Sequence, residues 1–364
     1  MKKLMLTTAI ASVLTTAAIA QTTISGELRV SYKAATMDKG ATGTGTKDTA
    51  YGFGSEQQIN IQTKGKLNLG GLDYAAGMSI ENDGEQQNES IFDENVYMDL
   101  TNASTGTTIS LGRDHIQRSD TDYSATNLVG FTPNEMSAGT NGTSFTQTPG
   151  AGPSQEFGIA VIQDVGTFGK VSYNFVPNNS KVTSVKTTNS LAASEGVNAN
   201  STSAYEYGFV GGLGVKGLTV HYFKNENSDF ETAANQVKAE GKNYGVKYNF
   251  GQITVGANKK KHQVETTNAL AYTDATTANK GEIEETALAI AYAINNNLTI
   301  GVMHAKAEHP AVAVALKDQK TKGINLGYNL GPVNLALGYA KTENAAGLSG
   351  SDNDVFMGRL IGAF

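Results

Sequence analysis

The chain has no cysteine and no tryptophan, and only 6 prolines in 364 residues. Without cysteine there is no disulfide framework and no thiolate nucleophile, and a metal would have to use oxygen or imidazole donors. After residue 20, no apolar run approaches the ~18 residues a spanning helix needs. The longest, 286–294, is about half that length. Positive charge is also short: 28 Lys and Arg against 34 Asp and Glu give a formal net charge of −6. With no basic stripe, nucleic acid is not a partner the sequence supports. The 5 histidines show no paired metal spacing, and no Ser/His/Asp set stands out, so neither a cofactor nor an enzyme activity is expected.

What is present begins with a leader. Lys2 and Lys3 precede an apolar run that ends in Ala18-Ile19-Ala20. That order of charged start, apolar middle and small-x-small site is a secretory signal, residues 1–20. Export leaves 21–364 as one domain, with a net charge of −8 once Lys2 and Lys3 are removed (26 basic, 34 acidic). An exported chain without spanning helices is either soluble or crosses a membrane as strands.

The side-chain period decides for strands. Phe356, Gly358, Leu360, Gly362 and Phe364 fall on one face, and Val355, Met357, Arg359, Ile361 and Ala363 on the other. Tyr244, Val246, Tyr248 and Phe250 interleave with Gly245, Lys247 and Asn249. Ile324, Leu326, Tyr328 and Leu330 interleave with Gly323, Asn325, Gly327 and Asn329. This is period two, the strand period. The second face is Gly, Asn, Ser, Thr, Lys and Ala, which is not a core. One apolar and one wet face, in segments of ~10–12 residues, describes a transmembrane barrel with a polar interior. Segment 282–294 is alanine-rich and also readable as helix; its alternating Leu288, Ile290, Tyr292 and Ile294 favour a strand.

Connections alternate short and long. Seven tight turns, at 70–71, 103–106, 165–167, 214–215, 251–252, 295–297 and 331–332, separate eight polar loops. The loops fall near 34–55, 82–89, 118–155, 178–203, 227–241, 262–281, 308–319 and 343–352. Together they join 16 antiparallel strands, all-β, with both termini on the short-turn, periplasmic side. Hydrocarbon forbids an open sheet edge, so the sheet must close. Tyr32, Tyr74, Tyr173, Phe175, Tyr222, Phe250, Tyr292 and Phe364 suit the aromatic girdles at the membrane faces. The third loop, 118–155, is too long to be an idle connection.

With these features in place, the chain resembles the general porins of the Gram-negative outer membrane. The leader, the alternating segments, Ile24-Ser25-Gly26-Glu27-Leu28, Leu111-Gly112-Arg113, the long third loop and terminal Phe364 carry the resemblance. It implies a homotrimer whose third loop folds inward and narrows each channel. Small polar solutes and ions would diffuse through a constriction where loop acids face basic side chains. Phe364 would be part of the signal read by the barrel-assembly machinery. On this sequence the basic side maps to Arg29, Arg113, Arg359, Lys64 and Lys66, and the acidic side to Glu27, Asp120, Asp122 and Glu135. Arg29 and Arg359 have lumen parity, because an arginine facing lipid would cost about 2–4 kcal/mol. Arg113 shares parity with Ile109 and Leu111, so it needs a bulge at Gly112 to face the channel. The segment 132–139 is similar to the family's Pro-Glu-Phe-Gly-Gly loop tip but carries Asn134 as an insert and Met136 for Phe. Asn60 stands where many relatives have an arginine.

A substrate-selective porin is the alternative reading. A sugar channel would want an aromatic slide, and a phosphate channel a lumen ladder of cations. An outer-membrane enzyme or adhesin would need a catalytic set or one dominant exposed domain. Gly212-Leu213-Gly214-Val215-Lys216-Gly217 matches a dinucleotide fingerprint, but strands flank it on both sides, so it is a hairpin. Lys259-Lys260-Lys261 is a solvated rim or a contact for lipopolysaccharide phosphate in the outer-membrane lipid.

Overall fold

Alternation at period two, with tight turns between segments, leaves each segment only its sequence neighbours as strand partners. The computed structural model follows this rule throughout. It describes residues 21–38, 47–67, 71–84, 92–112, 124–131, 157–177, 203–232, 235–266, 279–308, 317–345 and 349–364. The strands are β1 (Gln21–Asp38), β2 (Lys47–Lys66), β3 (Leu72–Gly84), β4 (Phe92–Asn102), β5 (Thr107–Gly112), β6 (Gly158–Asp164), β7 (Lys170–Val176) and β8 (Ser203–Gly211). They continue as β9 (Leu218–Thr232), β10 (Asn235–Phe250), β11 (Ile253–Thr266), β12 (Asn279–Ala293), β13 (Leu298–Glu308), β14 (Gln319–Asn329), β15 (Val333–Glu343) and β16 (Asn353–Ala363). All neighbours are antiparallel, and β1 pairs with β16 to close the barrel. The alanine-rich segment is a strand, β12.

Closure is completed at the very end of the chain. The Gly26 N–H donates to the Phe364 carbonyl at 2.9 Å, and the Phe364 N–H donates back at 3.0 Å. The Phe364 ring lies across Gly26, where any Cβ would collide with it. An aromatic ring over a strand glycine covers backbone that would otherwise be bare.

The outward face is apolar along every part of the wall. Ile24, Leu28, Ile61, Ile80, Leu111, Val161, Tyr173, Tyr222, Val246, Ile290, Val302, Ile324, Tyr339 and Leu360 are all exposed. In water such a surface would aggregate. In hydrocarbon it is the stable arrangement, because a closed sheet leaves no unpaired backbone. No helix among the described residues is long and apolar enough to cross a membrane.

Two sequence expectations need correction. Loops expected at 34–55 and 227–241 are shorter. β1 runs to Asp38 and β2 starts at Lys47, while β9 and β10 are separated by only 233–234. The cause is that strands continue beyond the apolar belt. There the outward face turns polar but stays paired, as where Lys224 and Lys242 both hold Glu240, at 3.0 and 2.6 Å. Polarity marks the membrane's end, not the strand's end. The bulge expected at Gly112 concerns Arg113, which lies outside the described residues; the pairing of β5 with β4 is regular as far as Gly112. A bulge does lie on the neighbouring β4, where Asn95 and Val96 stand against Met78 alone and Asn95 has φ 50°. Gly112 sits beside it, and a Cβ there would overlap the Val96 carbonyl oxygen. Second, the inner wall is not uniformly wet. Ala35, Ala289, Met303, Ala336, Ala340, Val355 and Met357 form a buried apolar cluster on the lumen side. The leader, residues 1–20, lies outside the described residues.

Candidate pore constriction

The lumen-side cluster is buried because part of the third connection lies on it. Its remaining member is Phe131, fully buried, with Leu128 packed against the edge. Residues 124–131 therefore sit inside the barrel, although β5 and β6 bracket them on the opposite side of the sheet order. The segment crosses the inner faces of β11 to β16. Its Ala125 N–H donates to Asn258 Oδ1 at 3.3 Å, and Asn325 Nδ2 donates to the Phe131 carbonyl at 3.2 Å.

The wall beneath is made of the smallest residues. A Cβ on Gly256 would overlap the Ala125 carbonyl oxygen. A Cβ on Gly301 would stand 2.9 Å from Val129, and one on Gly327 would stand 3.2 Å from it. Ala289 and Ala291 fill the same course on β12, and Ala336 does so on β15. Gly130 has φ 65° and leaves just enough room for the Ala336 methyl; a Cβ there would stand 2.6 Å from it. A left-handed residue pressed against a wall must be glycine. Ala125, Thr126 and Val129 are buried against this track, while Asn127 and Gly130 are exposed.

Arg359 closes the far end of the track. It projects into the lumen from β16, as its parity requires, and its guanidinium lies 4.8 Å from the centre of the Phe131 ring. A partly desolvated contact of this kind contributes ~0.5–2 kcal/mol.

Arg29 also faces the lumen. Arg359 lies across from Ser31, so the two arginines are diagonal neighbours over the closure. Arg29 is held by two carboxylates: Nη2 donates to Glu27 at 2.9 Å, and Nη1 donates to Glu56 on β2. Glu56 stands directly across the hairpin from Arg29. Sequence reading missed it because 34–55 was taken as loop, which left the register of β1 on β2 unset.

Lys64 and Lys66 are not brought to this level. They share the lumen face of β2, but Lys64 pairs with Gln21 and Lys66 with Asp73, beside the short turn. From Glu56 to Lys64 is eight residues of strand, about 26 Å at the usual rise. They line the periplasmic mouth. Parity set them on the correct face but said nothing about height. Arg113, Asp120, Asp122 and Glu135 lie outside the described residues. No group of three or more metal-ligating side chains occurs among the described residues.

A closed sixteen-strand barrel, apolar outside, with a chain segment seated against its inner wall, is a membrane channel with a narrowed lumen. The Gram-negative porin family model matches residues 7–355, and the chain belongs to that family. It is a porin, a passive water-filled channel of the outer membrane rather than an enzyme. No curated protein sequence matches it. Among solved structures it is similar to the anion-selective porin from Comamonas acidovorans, at TM-score 0.65 and 13% identity over 95% of this chain and 100% of that one. It is also similar to OmpF of Salmonella typhi in complex with daunomycin, at 0.63 and 13% over 94% and 97%. The outer membrane channel DcaP of Acinetobacter baumannii gives 0.61 and 13% over 95% and 97%. At such identities the likeness is one of fold.

Proposed function

We propose that the channel admits small hydrophilic solutes and ions without a dedicated binding site, and filters them by charge at a constriction. The observation that supports this is the 124–131 segment seated across β11 to β16. Arg29, Arg359 and Arg113 form the basic side of the filter, with Glu27, Asp120, Asp122 and Glu135 on the acidic side. Opposed charges across a narrow wet gap orient dipolar solutes, and their balance biases ion passage. The described lumen has neither an aromatic slide nor a ladder of cations, which favours this reading over a substrate-selective porin. Conductance in planar bilayers tests it. Stepwise currents that rise linearly with salt are expected; saturation by one solute would favour the selective channel.

The porin assembles as a homotrimer after export directed by residues 1–20. A trimer of this fold from Vibrio cholerae, OmpT, is among the similar structures. The outward face of β1, β2 and β16 supports self-association: Tyr32 packs 5.1 Å from Phe53 and 6.4 Å from Phe356, and Phe53 is 80% exposed. Above the apolar belt of β9 to β13, Lys259 and Lys261 hold Glu284, and Lys306 bridges Glu308 and Asp318. This outward charged rim faces the headgroup region, where lipopolysaccharide phosphates would meet its lysines. Phe364, at the closing pair, is the residue read by the barrel-assembly machinery. Native mass spectrometry of the complex extracted from outer membranes tests these assignments together. Three chains with bound lipopolysaccharide are expected, and little folded barrel from a chain lacking Phe364. A bare monomer, or full yield without Phe364, would contradict them.

A further inference from the structure

We propose that His221 holds the start of the 124–131 segment in place through two asparagines, and so is a positioning residue for the constriction. The inference rests on the channel reading above and adds a polar anchor at the end of the segment opposite Phe131.

His221, Gly245 and Asn258 stand side by side at one height on β9, β10 and β11. Asn243 lies on the same inner face of β10, one pleat further along. Gly245 leaves the space between the side chains open: a Cβ there would stand 2.7 Å from His221 Cε1 and 2.8 Å from Asn258 Oδ1. Asn258 Nδ2 donates to Asn243 Oδ1 at 3.1 Å. That oxygen is an acceptor, so His221 Nε2, also 3.1 Å from it, carries a proton and donates. All three side chains are buried, the most open being 7% exposed. Phe223 lies beside the imidazole, with ring centres 5.8 Å apart.

The direction of this relay matters, because a side-chain amide has a donor end and an acceptor end. With Asn243 presenting its oxygen, Asn258 presents Nδ2 to it. That leaves Asn258 Oδ1 for the Ala125 N–H, which donates at 3.3 Å. If Asn243 turned over, two amide nitrogens would meet. Asn258 would then turn as well, and its Nδ2 would face the Ala125 N–H, donor against donor. His221 prevents this, because its Nε2–H can bond only the oxygen of Asn243. In a buried network of this kind, removing one member weakens the others. Phe131 thus anchors one end of the segment by apolar burial, and His221 fixes the other by setting the polarity of the relay.

Single-channel recording of the whole porin in planar bilayers tests this. His221→Leu should raise the frequency of brief closures roughly tenfold, the scale of one lost buried hydrogen bond. His221→Gln supplies an amide N–H at a similar reach and should restore steady current. In an Asn258→Ala background, which should flicker by itself, His221→Leu should add nothing, because the link it acts through is gone. Asn243→Leu removes the middle link and should flicker as His221→Leu does, which keeps the test decisive if His221→Leu yields no folded barrel. Steady, full-size channels from either leucine variant would overturn the proposal. So would a failure of His221→Gln to restore steady current, or added flicker from His221→Leu in the Asn258→Ala background. A folded, unaltered barrel that passes no current would instead overturn the channel reading.

Discussion

Gly256→Val is expected to lower single-channel conductance. The site that a Cβ would take on Gly256 is held by the Ala125 carbonyl oxygen, with the Thr126 Cα close by. These are backbone atoms and cannot rotate aside as a flexible side-chain tip does. A branched side chain on the wall pushes the segment toward the pore axis, where it narrows the water path. Overpacking of this kind costs about 1–3 kcal/mol. That shifts the seated population by roughly 5–150-fold. The barrel itself should survive, since every ladder bond of β11 remains possible. Gly52→Ala is the control: a Cβ there meets nothing within 4 Å. Unchanged conductance in Gly256→Val, with Gly52→Ala also unchanged, would mean that the segment does not rest on this wall.

The second large effect comes from the other side of the same contact. Phe131 is fully buried among Met303, Val355, Met357, Ala336 and Ala340. Truncating a buried phenylalanine to alanine costs about 3–5 kcal/mol. The ring also lies under the Arg359 guanidinium, so Phe131→Ala removes that contact as well as loosening the segment. Rapid current flicker and closure at lower voltage are expected. Phe131→Leu should restore most of the steady current but not the contact with Arg359, because leucine fills the cluster without presenting a π face. Steady, full-size channels from Phe131→Ala would show that the cluster does not anchor the segment.

The barrel was legible in the sequence because lipid imposes one rule on every strand. Period two with an apolar face set sixteen strands, their antiparallel order and their closure. Strand ends were less legible: Glu240 falls in the polar stretch 227–241 expected as loop, yet it continues β10 and pairs with Lys224 on β9 and Lys242 on its own strand. The lumen parity of Arg29 and Arg359 followed from the cost of an arginine in lipid. Glu56 needed the hairpin register, and the height of Lys64 and Lys66 needed the same register.

The seat of the third loop was the least legible part, since it joins residues far apart in sequence. Leu128-Val129-Gly130-Phe131 is a short apolar run within a polar connection, which was the available signal. Its partners, Gly256, Gly301 and Gly327, looked like ordinary small residues of a wet face. Only when the segment lies on them does the reason for three glycines and the alanines of β12 become clear. The need for glycine at 112 was hidden in the same way. Gly112 is required by its neighbour, Val96 on β4, and not by its own strand.

The central claim is that residues 124–131 lie inside an open channel. The chain has no cysteine, so Asn127→Cys supplies a single thiol. Asn127 is the exposed residue between buried Thr126 and the edge of the cluster at Leu128. A membrane-impermeant cationic thiol reagent added to open channels in a bilayer should reduce the current in stepwise, reductant-reversible events. Current that is unaffected while the thiol is shown to be modified would place the segment outside the water path and contradict the account.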